Sequence, residues 1–176
     1  MSDPPPVAVA SPTRGPSPAP STTAATHPCQ AGEVGAGAVW WTGATATQAG
    51  GFVLFDVGPA ACSIGGRVAV QLLDRGGTPL PIEVRPFETS APTDVTLLPD
   101  LGVPNANDNP TPGRAGVETF WTNWCGPLPL GSGTLVVTIP GIGQLTASFA
   151  GLSAPRCDAP GSLSILEVSP IIPSVP

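Results

Sequence analysis

Short runs of alternating apolar and polar residues recur along the chain from about residue 33 onward. In 81–86, for example, Ile82 and Val84 alternate with Glu83 and Arg85, which places the first pair inward and the second outward. A period of two is typical of a strand with one buried face, and no segment has the 3.6-residue period of a helix. The pattern predicts nine strands, at 33–42, 51–57, 67–74, 81–86, 95–98, 117–124, 134–139, 144–149 and 163–168. It therefore predicts an all-β fold, an antiparallel sandwich of about eight or nine short strands.

Turn residues separate these runs. The segments DRGG (74–77) and PGIG (140–143) have the composition of hairpin turns. Glycine (22) and proline (25) together exceed a quarter of the 176 residues, which excludes a mostly helical protein. The segment 88–116 is much longer than an ordinary connection, and loops of that length often carry function.

Charge narrows the function classes. Six positive residues, all arginine, stand against twelve carboxylates, so the net charge is −6. A chain this acidic, without a basic run, does not have the electrostatic footprint of a nucleic-acid binder. The absence of lysine excludes Schiff-base and P-loop lysine chemistry. We expect no cofactor.

Composition divides the chain into three parts. Residues 1–27 are rich in Pro, Ala, Ser and Thr and are predicted to be a disordered linker or stalk. Residues 28–171 are predicted to form the sandwich, and 172–176 a tail. The first residues lack the charged and apolar regions of a signal peptide, so we interpret the chain as a trimmed form. No stretch is apolar enough for a transmembrane helix.

Four cysteines, an even number in a small loop-rich chain, predict a disulfide framework. They are Cys29, Cys62, Cys125 and Cys157, and none forms a CxxC pair or has metal-ligand spacing with the single histidine. Their spacing leaves three connectivities open. Two disulfides predict an extracytoplasmic location, and free buried thiols are the alternative.

Four segments in order resemble a known family: CSIGGRVAVQLLDRGGTPL (62–80), TFWTNWCGP (119–127), LVVTIPGIGQLTA (135–147) and APRCDAPGSLSILEVSPI (154–171). They resemble a domain-of-unknown-function family of actinobacterial-type secreted or envelope lipoproteins. The Trp-x-Asn-Trp-Cys and Pro-Arg-Cys-Asp motifs carry the likeness. The resemblance implies an envelope location, a stalk and a lipid anchor on a precursor N-terminus, and it implies no activity.

With this resemblance the cysteines pair as Cys29–Cys62 and Cys125–Cys157. The fold is then expected to be an immunoglobulin-like sandwich, in which a tryptophan often packs on a bridge. Regular alternation gives Trp121 the same parity as Cys125, so Trp121 is the expected partner of that bridge rather than Trp124.

Catalytic groups are scarce. The only histidine, His27, lies at the linker boundary, where a nucleophile–histidine site would have little support. His27 with Cys29 as a metal pair is the weaker interpretation, and we predict no metal site and no enzymatic activity. Asp56, at the end of an apolar run, is the carboxylate to examine for burial, and Asn123 is expected to be a structural hydrogen-bonding residue.

The candidate binding residues are aromatic or amide side chains. Trp40 and Trp41 are adjacent and should face opposite sides of their strand, with Trp40 the more exposed. Exposed tryptophan rings stack on sugars and on protein partners, so Trp40 and Trp121 are candidates for binding, and filling of the core is the alternative for Trp41, Trp121 and Trp124. Asn105, Asn107 and Asp108 in the long loop are further candidates, and this loop lacks the acidic spacing of a calcium loop. We expect a non-catalytic module that binds an unknown protein or scaffolds the envelope. The alternative is a carbohydrate or cell-wall binding module, which requires a row of exposed tryptophans.

Overall fold

The computed structural model describes residues 26–44, 46–87, 91–99, 113–127 and 131–174. These ranges contain twelve β-strands and no helix, and accordingly no helix suited to span a membrane. In chain order the strands are β1 (His27–Pro28), β2 (Val34–Ala44), β3 (Thr47–Asp56), β4 (Cys62–Ile64), β5 (Ala69–Leu73), β6 (Ile82–Pro86), β7 (Val95–Leu97), β8 (Ala115–Thr122), β9 (Gly131–Ile139), β10 (Gly143–Leu152), β11 (Ser164–Val168) and β12 (Ile172–Pro173). The all-β prediction is confirmed.

Two sheets form the layers of the sandwich. The larger has the order β2-β3-β8-β11-β6, with β12 added to β8, and the smaller has the order β10-β9-β5. Strand β10 lies beside β2 at one side of the sandwich, and β5 lies beside β6 at the other. The two sheets therefore approach each other along both pairs of edges, but only through spatial proximity, since no ladder joins them in the described residues.

The core lies between the inward faces that the alternation predicts. In β9 the side chains of Leu135, Val137 and Ile139 are buried, and in β5 those of Val70 and Leu72 are buried. Apolar residues on alternate positions bury one continuous face because strand side chains have a period of two. The predicted inward positions of these two strands are confirmed.

A third, small sheet with the order β1-β4-β7 carries the first disulfide. Cys29 is bonded to Cys62, with 4.9 Å between their Cα atoms, and both side chains are buried. The second disulfide joins Cys125 to Cys157, both exposed, with a Cα separation of 4.8 Å. Both expected pairings are confirmed.

The structure departs from the predicted strands in three ways. It adds the short strands β1, β4 and β12, which have too few residues to show a period. Two strand pairs, β1–β4 and β11–β6, are parallel, although an antiparallel sandwich was predicted. The folded part is also longer than 28–171, because His27 pairs with Cys62 and because β12, expected in the tail, pairs with β8.

Candidate functional site

Two adjacent tryptophans of β2 cover two adjacent glycines of β3. Trp40 pairs with Gly51 and Trp41 with Gly50 across the ladder. A Cβ atom at Gly51 would lie 3.0 Å from the Trp40 ring, and one at Gly50 would overlap the Trp41 ring. Each ring therefore occupies the space that a glycine leaves free. Trp40 lies on the outer face and is 46% exposed, as predicted, while Trp41 is half-buried and packs on the core.

Trp121, a predicted binding residue, lies in the core and presents no exposed surface, and this prediction is corrected. Its relative exposure is 0%, and its indole Nε1 donates a hydrogen bond of 2.7 Å to Ser164 Oγ. Its ring packs edge-on against Trp41 and Trp124, with centroid distances of 6.3 and 5.4 Å. The inward parity of β8 puts Trp121 in the centre of the core, where no ligand reaches it.

The predicted relation between Trp121 and the second disulfide is also wrong. Strand β8 ends at Thr122, and Asn123 adopts a left-handed conformation with φ of 55°. This single residue breaks the alternation, so that Trp124 turns inward and Cys125 outward. Trp121 is therefore buried while the bridge next to it is exposed.

Asn123 has the structural role expected of it. Its Oδ1 accepts hydrogen bonds from the backbone N–H groups of Asp158 (3.1 Å) and Ala159 (2.9 Å). Its Nδ2 donates to the carbonyl of Ala159 at 3.1 Å. The amide thereby ties the end of β8 to the segment that carries Cys157, and asparagine is among the residues that tolerate this backbone conformation.

The only histidine is hydrogen-bonded to a glutamate. His27 Nε2 lies 3.0 Å from Glu33 Oε2, and the Gln30 N–H donates to the same oxygen at 2.8 Å. The backbone hydrogen bond from Gln30, and next the hydrogen bond with His27, hold the pKa of Glu33 below its ordinary value. The arrangement fastens the chain at the start of the fold. Cys29, the other residue of the weighed metal pair, is in a disulfide.

Asp56 is fully buried at the end of β3. Its Oδ1 accepts a hydrogen bond of 2.6 Å from the Gly58 N–H, so the carboxylate examined for burial is a hydrogen-bonded turn residue. Its Oδ2 has no partner among the described residues. No group of three or more histidine, cysteine, aspartate or glutamate side chains suited to a metal occurs in the described ranges. Of the long loop, Asn105, Asn107 and Asp108 lie outside those ranges.

The described residues bring apolar and charged groups together in a cleft between β5 and β6. The cleft encloses about 280 Å³, and its walls are 67–70, next to and within β5, and 84–86 of β6, with Val168 of β11 between them. At one end the strands are joined, because Leu73 bridges to Pro79 and the Leu80 N–H donates to Leu72 O. From there the chain leaves β5, and β6 pairs with β11 in the other sheet, with the cleft between β5 and β6.

Val84 is the exposed apolar residue of this cleft. It pairs with Leu166 of β11 and faces the same side, and Leu166 is buried in the core. The predicted inward direction of Val84 is therefore correct, yet its exposure is 40%. In the described part of the chain the opposite sheet ends at β5 and does not cover Val84. The alternation predicts which side of the sheet Val84 faces. Its exposure depends on how far the facing sheet extends, and the sequence pattern does not predict that extent.

Two arginines lie at the cleft, and they differ in their partners. Arg85 Nε donates to Glu83 Oε1 at 2.7 Å on the outer face of the sheet, and this hydrogen bond raises the pKa of the guanidinium above its ordinary value. The half-buried Arg67 Nη1 donates to the backbone oxygen of Phe87 at 3.4 Å across the mouth of the cleft. Among the described residues no carboxylate lies within ion-pair distance of Arg67.

Comparisons with protein-family models, with curated proteins and with solved structures give no match to this chain. The cleft between β5 and β6 is accordingly identified by its geometry alone. It combines an apolar surface, two strand edges and, as far as the described residues show, an arginine without an acidic partner.

Proposed function

We propose that this chain is a non-catalytic, extracytoplasmic domain of a bacterial envelope or secreted protein and that it binds a protein partner. The observation that carries the proposal is the uncovered, inward-facing Val84 in the cleft between β5 and β6. Val84 is 40% exposed, and Val68, Val70 and Val168 line the same cleft, so its exposed side chain belongs to a contiguous apolar surface of the kind that marks interaction sites.

Two further features support the extracytoplasmic part of the proposal. Disulfides persist in oxidising compartments, and this small domain has two of them. The motifs around Cys125 and Cys157 resemble envelope lipoproteins, a likeness that also suggests a lipid anchor. A non-catalytic role is supported by His27, the one histidine, which is engaged with Glu33 at the start of the fold.

The carbohydrate-binding alternative has less support. All four tryptophans are described, and Trp40 alone is exposed, while Trp41 is half-buried and Trp121 and Trp124 are buried. Sugar-binding faces use several exposed aromatic rings. A single tryptophan seated over Gly51 does not form such a row.

The location is tested by measuring the thiol state of protein taken from the cells that make it. Denaturation with iodoacetamide, without reductant, is expected to add no label, and labelling of all four cysteines would overturn the extracytoplasmic proposal. Binding is tested by capturing proteins and polysaccharides from the same cell envelope on the oxidised domain. A captured protein that rebinds saturably after purification supports the proposal, whereas saturable binding of polysaccharide alone would favour the carbohydrate module.

A further inference from the structure

We propose that the cleft between β5 and β6 binds an extended acidic peptide segment of the partner, which adds a short strand to β6. One apolar side chain of this peptide packs on Val84, and one carboxylate pairs with Arg67. The inference rests on the proposed protein-binding function and specifies the surface and the chemistry of its ligand.

The backbone of β6 is open on the side of the cleft. The Phe87 N–H donates to Val168 O at 2.8 Å, toward β11. Because backbone groups alternate in direction along a strand, those of Arg85 and Glu83 also face β11, and those of Val84 face the cleft. No strand pairs with β6 on that side among the described residues. The N–H and C=O of Val84 are thus available to an added strand.

The opposite wall has the same character. The carbonyl of Leu72 in β5 accepts the Leu80 N–H and points away from β9. Val70 lies two residues earlier and has its backbone groups on the same side. A peptide in the cleft therefore meets polar backbone edges on both walls and apolar side chains between them.

Prolines limit how long the added strand can be. Pro81 precedes β6, and Pro86 is its last residue and has no N–H. The Ile82 N–H is already donated to Leu80 O. Only a few backbone hydrogen bonds can form, and they are centred on Val84. The edge of β6 is therefore too short for strong, non-specific pairing with other strands. Affinity and selectivity must then come from the side chains of the peptide.

The size of the cleft indicates one anchoring side chain. Its volume of about 280 Å³ is at the lower limit of the roughly 300–1,000 Å³ of small-molecule sites. Val70, Val84 and Val168 line it with branched apolar surface. A single Leu- or Phe-sized residue of an extended peptide fits this surface better than a drug-sized ligand.

Charge complementarity selects an acidic peptide. Arg85 already has Glu83 as its partner, and Glu167 lies close enough to raise the Arg85 pKa further. Arg67 is half-buried, and its one hydrogen bond to a described residue is the one that it donates to the Phe87 carbonyl. A carboxylate brought to the mouth of the cleft would form a charge-assisted hydrogen bond with it. A second copy of the chain is a poorer occupant, because each copy has a net charge of −6 and its β6 charges are already paired.

The experiment uses a displayed library of random peptides of about eight residues, long enough to cross the cleft. It is panned on the oxidised protein, on Arg67→Gln, on Val84→Lys and on Arg75→Gln. Arg75 is a matched control, since it is an exposed arginine in the 74–77 turn, away from the cleft. We expect the wild type to enrich peptides with an apolar residue near Asp or Glu.

The strongest synthetic peptide is expected to bind Arg67→Gln about tenfold or more weakly than the wild type, and Arg75→Gln equally well. Alternate backbone N–H groups of an added strand point to the same side, and only one of the two sets faces β6. N-methylation of that set is expected to abolish binding, whereas N-methylation of the other set should not. Near-ultraviolet circular dichroism verifies that Val84→Lys is folded. Arg67→Gln changes no core residue and should fold like the wild type, so a loss of binding in this variant is not explained by unfolding.

Three outcomes would overturn the inference. Enriched peptides that bind all variants equally would place the binding surface elsewhere, and the proposed function would stand. A wild-type dimer that Val84→Lys dissociates, with no enriched peptide, would assign the cleft to self-association. Absence of enrichment together with absence of any captured envelope protein would overturn both the cleft and the proposed protein-binding function.

Discussion

Replacing each disulfide by a pair of alanines separates the two contributions that these bridges make to stability. They close loops of 33 and 32 residues, for which the chain-entropy relation gives about 3.7 kcal/mol each. Cys29 and Cys62 are buried, so their truncation also removes two methylene-sized groups from the core, at a cost of about 2 kcal/mol. Cys125 and Cys157 are exposed and add no such cost.

Cys29→Ala with Cys62→Ala should therefore lose about 6 kcal/mol, and Cys125→Ala with Cys157→Ala about 4 kcal/mol. Urea unfolding followed by tryptophan fluorescence measures both. Mild reduction followed by alkylation is an independent measurement on the wild type, in which the exposed bridge should open first. If the two variants lost equal stability, or if the exposed pair lost more, burial of Cys29 and Cys62 would not explain a difference in stability between the two bridges.

Three further predictions concern single residues. Gly50→Ala should lose about 2 kcal/mol or more in urea unfolding because its methyl group overlaps the Trp41 ring, whereas Gly116→Ala, with nothing closer than 4.0 Å, should change stability by less than about 1 kcal/mol. Asn123→Gly keeps the left-handed backbone but loses the amide hydrogen bonds, so its midpoint should fall, and that of Asn123→Ala should fall further. The pKa of Glu33 is lowered in the folded state, so its ionised carboxylate stabilises the fold at neutral pH, and this contribution is lost as the pH falls through that pKa. Glu33→Gln should therefore remove this part of the decrease in stability at acidic pH, measured by unfolding at several pH values.

Much of the fold follows from alternation, and the exceptions have local causes. All nine predicted runs are strands, with ends that differ by a few residues. Strands β1, β4 and β12 were missed because each forms through pairing with a strand distant in sequence, which local alternation does not record. The disulfide pairing came from the resemblance, since spacing alone left three connectivities open.

The candidate site was less predictable for two reasons. Trp121 was predicted to bind a ligand because it is aromatic, which does not indicate whether the ring is exposed. Its position in β8 places the ring at the centre of the core. The predicted directions of the side chains after Thr122 were wrong, because Asn123 has a left-handed backbone conformation. This conformation exchanges the faces on which Trp124 and Cys125 lie. Neither a short strand nor a single backbone angle leaves a periodic signal, so only three-dimensional contacts reveal them.

The cleft itself follows from a strand that changes sheets. Pro79 and Leu80 still pair with β5, but Pro81 follows, and β6 then runs parallel to β11 in the other layer. The same change of direction that joins the two sheets at one end separates β5 from β6 at the other. Val84 consequently lies on the core side of its sheet at a position that no described strand of the other sheet covers. The exposure of Val84 thus follows from this topology, and under the proposed binding mode a peptide strand would pair with the edge of β6 that has no partner strand in the described part of the chain.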